Sequence, residues 1–325
     1  MADTMWAVEI AGDQSLKLGE VDKPPCGPKD VLIEVAAAGL NRADLVQRMG
    51  FYPPPPGASD IMGLECSGMV TAIGDKVSEW RIGDRVCALM AGGGYAQFAL
   101  ADEGSVFRIP DRMSFHGAAA LPEAMMTVWA NIFDRCAFQP GETLLVHGGT
   151  SGIGSMALQM ARHAGAGKIL TTAGSPEKCA AAKGFGADIA INYREEDFEA
   201  VAAAEGGIDV ILDMVGGEYV QKNIAVAKVG GRICNIAYMK GHKVELSLLP
   251  LMLKRLVLTA TTLRARPDDE KKRIRDAVLR DFWPAVERGE IKPVIDTVYR
   301  FAEAEAAQAH MGDGGHIGKI LLSDG

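Results

Sequence analysis

Residues Thr143–Lys178 read TLLVHGGTSGIGSMALQMARHAGAGKILTTAGSPEK, and the fold class follows from them. Leu144-Leu145-Val146 is a short apolar run of the kind that forms a buried strand. A glycine-rich turn comes next, Gly148-Gly149-Thr150-Ser151-Gly152-Ile153-Gly154. Ile153, Met156, Ala157, Met160, Ala161 and Ala164 then recur at the spacing of an amphipathic helix. Lys168–Ala173 reads as a second strand. Strand, glycine turn, helix, strand is the order that sets a dinucleotide pyrophosphate on a helix N-terminus. Gly148, Gly149, Gly152 and Gly154 leave room for backbone N–H groups to reach the phosphates.

The pattern extends downstream. Strand-like segments at 143–147, 168–173, 188–192, 208–213, 231–237 and 256–263 alternate with helix-length stretches such as Pro176–Gly184 and Gly217–Lys228. A helix over Met125–Arg135 precedes them. The expectation is an α/β protein containing a six-stranded, parallel, doubly wound sheet.

Upstream the rhythm is different. Met5–Ile10, Val31–Ala37, Glu65–Ile73, Arg85–Leu89 and Tyr95–Ala99 read as short strands punctuated by Gly and Pro, the mark of an irregular β-rich domain. Asn41 is placed to cap a short helix ending near Met49, with Asp44 three residues on. Tyr52 then leads into Pro53-Pro54-Pro55-Pro56, a stiff, extended stretch. After Leu263 come a charged helix over Pro267–Val286, short strands at 294–295, 297–301 and 317–322, and a helix over Ala302–Met311. This tail is too small to stand alone. The expected division is a β-rich domain from 1–122 and 264–325, with the dinucleotide domain, 123–263, inserted into it.

Bulk properties narrow the function. The 325 residues are 48% hydrophobic and 23% charged, enough for two cores. A net charge of −8 disfavours nucleic acid or a membrane surface as the main partner. No apolar run is long enough to span a bilayer and the N-terminus shows no secretory pattern, so a cytoplasmic location is expected. The six cysteines form no CxxC pair and read as reduced, buried thiols. His116, His147 and His163 read as structural or exposed.

Cofactor choice depends on the end of the second strand. A carboxylate there would hold a ribose 2′-hydroxyl. This chain has Ala173-Gly174-Ser175 instead, with Lys178 a helical turn further on. A 2′-phosphate favours Ser175, Lys178 and the dipole of a helix starting at Pro176, and Tyr193 adds a hydroxyl. The expected cofactor is therefore NADPH.

The order of domains resembles the medium-chain dehydrogenase/reductase superfamily. Its zinc members carry a Cys after the second N-terminal strand and a His in a Gly-His-Glu motif. Here Asn41 and Leu64 stand at those positions, while Glu65 is kept as a structural hydrogen-bonding carboxylate. Leu cannot bind zinc, so no metal is expected. Asn41-Arg42-Ala43-Asp44-Leu45, Gln47-Arg48 and Tyr52 through Ser59 resemble the zinc-free NADPH:quinone oxidoreductase family, its p53-inducible type in particular. Gly92-Gly93-Gly94, Asp213 with Gly216-Gly217, Leu263-Arg264 and Ile317-Gly318-Lys319-Ile320 agree.

The resemblance implies a GroES-like catalytic domain, a Rossmann domain and a cleft between them. It implies Asn41 and Tyr52 as catalytic residues, with Ser151, Gly152 and Ile153 at the pyrophosphate, Gly174 beside Ser175, Lys178 and Tyr193 at the adenosine phosphate, and Thr127, Met214, Val215, Leu263 and Lys319 joining the cofactor contacts. It implies quinone reduction in a homodimer paired through the last Rossmann strand. Two rivals stand beside it. One is reduction of an enone or alkenal double bond. The other is a non-catalytic NADPH- or RNA-binding protein, for which the interleaved charges around Arg264–Arg275 offer the only surface.

Overall fold

The computed structural model describes residues 3–325. The chain forms two compact units, Met1–Met126 with Leu263–Gly325, and Thr127–Thr262.

In the first unit, β1 (Thr4–Ile10) and β2 (Leu16–Asp22) form an antiparallel pair. β3 (Asp30–Gly39), β4 (Glu65–Ile73), β5 (Arg85–Leu89), β6 (Phe98–Asp102) and β7 (Val106–Arg108) belong to a larger sheet. Helix α1 (Arg42–Arg48) follows β3, and α2 (Phe115–Ala119) and α3 (Pro122–Val128) end the segment. β2 and β7 escape the sequence reading because β2 alternates only partly and β7 has three residues. The strand expected at Tyr95–Ala99 lies at Phe98–Asp102 instead. Tyr95 is buried, and its carbonyl accepts from Val8 N–H.

The second unit is built on β8 (Thr143–His147), β9 (Lys168–Ala173), β10 (Ile189–Asn192), β11 (Ile208–Asp213), β12 (Ala227–Asn235) and β13 (Val257–Ala260). Their spatial order is β10-β9-β8-β11-β12-β13, every pair parallel. That is the dinucleotide-binding order, with its switch point between β8 and β11. Leu144, Leu145 and Val146 are all fully buried, as a strand covered on both faces requires. Helices α4 (Gly152–His163), α5 (Pro176–Gly184), α6 (Phe198–Ala204), α7 (Tyr219–Val226) and α8 (Leu249–Leu253) link the strands. In α4 the expected stripe is buried at Met156, Ala157, Met160 and Ala161. The helix expected at Met125–Arg135 is instead the end of α3 followed by a π-helical turn, Trp129–Arg135.

The tail contributes α9 (Asp268–Asp281), α10 (Trp283–Glu287), β14 (Ile295–Tyr299), α11 (Ala304–Asp313) and β15 (Lys319–Leu322). The single helix expected over Pro267–Val286 breaks at Phe282, because Pro284 lacks the N–H needed to continue it. β15 pairs antiparallel with β3. Phe301, Ala307, Met311, Ile320 and Leu322 share one core with Val31, Ile33, Val70 and Val86. The two ends of the chain thus complete a single hydrophobic core. Among the described residues no helix is long and apolar enough to cross a membrane.

The glycine turn has a sharp steric requirement. A Cβ at Gly154 would lie 2.1 Å from the Gly148 carbonyl oxygen, a backbone atom that cannot swing aside. A Cβ at Gly184, at the end of α5, meets nothing within 4 Å. Gly154→Ala is expected to cost several kcal/mol, about 3, through overpacking. Gly184→Ala is expected to be neutral or to stabilise by up to about 1 kcal/mol. Urea unfolding of both variants checks the contrast.

Candidate functional site

Asn41 ends the loop after β3 and stands at the N-cap of α1. Its backbone N–H donates to Asp44 Oδ2 at 2.8 Å. Its side chain enters a buried polar cluster. Asn41 Nδ2 donates to Glu65 Oε1 at 3.0 Å, and Asn41 Oδ1 accepts from Lys319 Nζ at 2.8 Å. Lys319 Nζ is also 2.7 Å from the Leu40 carbonyl oxygen and 2.5 Å from Glu65 Oε1. Glu65 Oε2 accepts from the Glu123 N–H. A Cβ on Gly39 would fall 2.4 Å from Glu65 Oε1, so only glycine leaves the carboxylate room.

Lys319, expected among the cofactor contacts, lies within this cluster. It is buried, and three acceptors match the three N–H groups of its ammonium. It offers the site a fixed positive charge and a fixed orientation of the Asn41 amide. Glu65, read as structural, is the anion that makes burial of that ammonium possible.

Asp44 is wholly buried beneath Asn41. Its Oδ2 also accepts from Tyr95 Oη at 2.9 Å, while Oδ1 is buried with no hydrogen-bond partner among the described residues. Burial raises its carboxyl to about 6, against the donors Asn41 N–H and Tyr95 O–H and the Lys319 charge.

Tyr52 is half-buried at the start of the proline run. The Arg264 guanidinium lies 5.3 Å from its ring centre and donates to the Tyr52 carbonyl oxygen at 3.0 Å. Arg264 also donates to the Ala91 carbonyl at 2.6 Å and to Gln47 Oε1 at 2.8 Å, and Gln47 Nε2 donates to the Asp60 carbonyl at 2.9 Å. The segment from Tyr52 to Asp60 is clamped at both ends. Burial, then the Glu123 charge, raises the Tyr52 phenol, so it stays protonated at neutral pH and can donate. Sequence reading placed Arg264 in a motif and in a basic cluster but missed this clamp. The available signal was an arginine directly after the apolar stretch 256–263. Leu263, just before it, is buried in the same unit.

In the second unit, Ser151 caps α4: its Oγ accepts from Gly154 N–H at 2.9 Å and donates to the Gly148 carbonyl at 2.9 Å. The N–H groups of Gly152 and Ile153 begin the helix and have no acceptor within it. Gly148 adopts a positive φ of 74°. Gly149 serves packing, since a Cβ there would sit 2.0 Å from Thr171 Oγ1. Ser151 Oγ is 3.6 Å from Met214 Sδ, so the glycine turn meets the turn after β11. Val215 N–H in that turn donates to Asp213 Oδ1 at 2.6 Å. Thr127 is buried in α3, and its carbonyl accepts from Asn131 Nδ2.

At the end of β9, Ser175 Oγ caps α5 through Lys178 N–H at 3.2 Å. A Cβ on Gly174 would lie 2.5 Å from Tyr193 Oη. Gly174, Ser175 and the Tyr193 hydroxyl thus converge beside the first turn that carries Lys178. The helix N-terminus and this convergence fit a dinucleotide.

Residues 27–111 match the alcohol dehydrogenase GroES-like domain family, and residues 152–279 match the zinc-binding dehydrogenase family. The quinone oxidoreductase of Mus musculus is 31% identical over 324 residues, covering 97% of this chain and 95% of that protein. This chain belongs to the quinone oxidoreductase family of medium-chain dehydrogenases/reductases. A solved quinone oxidoreductase of Pseudomonas syringae pv. Tomato DC3000 superposes with a TM-score of 0.85 at 27% identity, covering 99% of this chain and 100% of that one. The CurK enoyl reductase superposes with a TM-score of 0.83 at 26% identity, covering 99% of each chain.

Membership makes this quinone oxidoreductase family member an oxidoreductase and implies a nicotinamide cofactor. The zinc in one matching family's description does not fit the residues present. Asn41, Leu64 and Glu65 supply an amide, a buried hydrocarbon and a carboxylate already paired with an ammonium, and among the described residues no group of His, Cys, Asp and Glu side chains is placed to hold a metal ion. No step is routed through a metal.

Asp44 gives a test of the buried cluster. The folded protein holds its proton more tightly than the unfolded chain, whose Asp titrates near 4. The stability linked to that proton is complete below about pH 4 and is lost as pH rises through about 6, on the order of 3 kcal/mol. Asp44→Asn keeps an acceptor for Asn41 and Tyr95 without the charge. Urea unfolding between about pH 4.5 and 7.5 is expected to show a shallower fall in stability for the variant than for the wild type.

Proposed function

We propose that this chain is a zinc-independent, NADPH-dependent quinone oxidoreductase acting on ortho-quinone-like acceptors. The carrying observation is the buried Asn41–Lys319–Glu65 cluster, which sets an oriented amide and a positive charge where the family's zinc ligands are lacking. When bound, the nicotinamide supplies the reducing equivalent. Conjugated quinone carbonyls already accept electrons, so a rigid polar site suffices. Asn41 orients the acceptor, its own amide held by Lys319 and Glu65. Tyr52 presents a protonated hydroxyl for proton delivery, held in place by Arg264. Ser151, Gly152 and Ile153 bind the pyrophosphate, and Gly174, Ser175, Lys178 and Tyr193 bind the 2′-phosphate. Thr127, Met214, Val215 and Leu263 flank the nicotinamide.

The likeness to an enoyl reductase favours a second reading, reduction of an enone or alkenal double bond. A nucleic-acid role is not proposed, because the basic segment is spent internally. Arg264 clamps the Tyr52 loop, Arg266 pairs with Glu270, and Lys272 and Arg275 pair with Glu79.

Steady-state rates with NADPH and NADH against ortho-quinones and 2-alkenals decide between the acceptors. A quinone-dependent rate with NADPH is expected, and none above blank would sink the proposal. Lys178→Ala is expected to raise KM for NADPH roughly tenfold while leaving KM for NADH within about twofold, the loss of one charge-assisted phosphate contact.

A homodimer through β13 is part of the same proposal. β13 pairs with β12 alone among the described strands, and Val257 and Leu258 on it are 48% and 36% exposed. Met252 and Leu253 beside it are more exposed still. An apolar edge of this kind calls for a partner strand. Sedimentation is expected to show a dimer at micromolar concentration and a monomer for Leu258→Lys.

A further inference from the structure

His147 ends β8, beside the switch point, with no solvent exposure. Its Nε2 lies 2.8 Å from Asn223 Oδ1 and its Nδ1 lies 3.2 Å from Thr172 Oγ1. Asn223 Nδ2 donates to Asp213 Oδ2 at 3.1 Å, and Asn235 Nδ2 donates to the same oxygen at 2.9 Å. Asp213 Oδ1 accepts from the N–H groups of Val215 and Gly216 at 2.6 and 3.1 Å. At the far end, Gly148 N–H donates to Thr172 Oγ1 at 3.2 Å. His147, Thr172, Asn223, Asp213 and Asn235 are all buried.

The directions follow from chemistry. An ionised carboxylate only accepts, so Asp213 forces the NH2 of Asn223 toward itself. Asn223 then turns its oxygen to His147, which must donate from Nε2. The neutral ring therefore accepts at Nδ1, from the Thr172 hydroxyl. That leaves a Thr172 lone pair for Gly148 N–H. We infer that His147, in one fixed tautomer, is a positioning residue that locks the phosphate-binding turn at Gly148 to the turn at Met214–Gly217, so that both arms of the dinucleotide site are set by one buried hydrogen-bond chain. This rests on reading the second unit as the dinucleotide site.

The surroundings keep the ring neutral. Phe198 from α6 and Tyr219 from α7 pack edge-on against it, at 4.7 and 4.9 Å between ring centres. Asp213 is the charge that favours protonation. Lys222 and Lys240 lie over the Phe198 and Tyr219 rings, each paired with a carboxylate, Asp197 and Glu218. Burial outweighs Asp213 and Asn223 and lowers the imidazole below its usual range.

The test has two independent readouts. Nitrogen NMR of histidine-labelled wild type at about pH 7.5 is expected to show His147 neutral and protonated at Nε2. A proton on Nδ1, or a doubly protonated ring, overturns the chain. Fluorescence titration with NADPH is expected to show Kd raised about tenfold for Thr172→Val, the equivalent of about 1.4 kcal/mol. Thr172→Ser, which keeps the hydroxyl, and His147→Gln, which keeps a donor and an acceptor, are expected to stay within about threefold. Melting curves confirm that each variant is folded. Unchanged affinity in folded Thr172→Val overturns the positioning role. Absence of binding in the wild type would overturn the cofactor reading, and the positioning role with it, while leaving the tautomer as measured.

Discussion

Two opposite charges, Lys319 and Glu65, sit 2.5 Å apart with almost no exposure, and the first unit is arranged around them. Neither could be buried alone, because an unpaired charge in a protein interior costs several kcal/mol. Their pairing draws β15 to the start of β4. It also spends the ammonium on Asn41 and thereby fixes the orientation of that amide. The constraint reaches the whole chain. Lys319 can meet Glu65 only if everything between them returns to its starting point, so the second unit is an insertion that leaves and re-enters one core.

The same logic recurs in the second unit in neutral form. There the carboxylate is Asp213, and its partners are amide and backbone N–H groups in place of an ammonium. Each group in the chain has one permitted direction once the carboxylate is ionised. Buried polar networks that are fully satisfied in this way are rigid. Rigidity at the carboxyl ends of β8 and β11 is what a site for a long, flexible dinucleotide needs, since each loop ordered in advance is one less to order on binding.

Arg264 shows a third use of buried charge. Its guanidinium reaches three acceptors on three segments, at Gln47, Tyr52 and Ala91. A planar fork with five donors can do this where a lysine could not. The result is a loop of four prolines, stiff by composition, that is also tied down at its ends. A basic-looking stretch of sequence thereby becomes internal scaffolding.

What could be read from the sequence was local or periodic. The parallel sheet followed from apolar runs separated by helix-length segments, the α4 stripe from its spacing, and the limits of α5 from Ser175-Pro176 at its start. The resemblance carried by Asn41 through Ser59, and the leucine at position 64, pointed to a family member without zinc ligands. These features depend on neighbours a few residues away, whose geometry the backbone dictates. The break at Phe282 follows from Pro284, which the charged periodic pattern masked, and the π-turn after α3 left no mark in the periodicity. What only the tertiary structure decided was pairing at a distance. Lys319 meets Asn41 across 278 residues, Arg264 meets Gln47 across 217, and His147 meets Asn223 across 76. No spacing rule connects such pairs. Which buried donor finds which buried acceptor is settled only when the folded chain excludes water and every polar group must be satisfied from within.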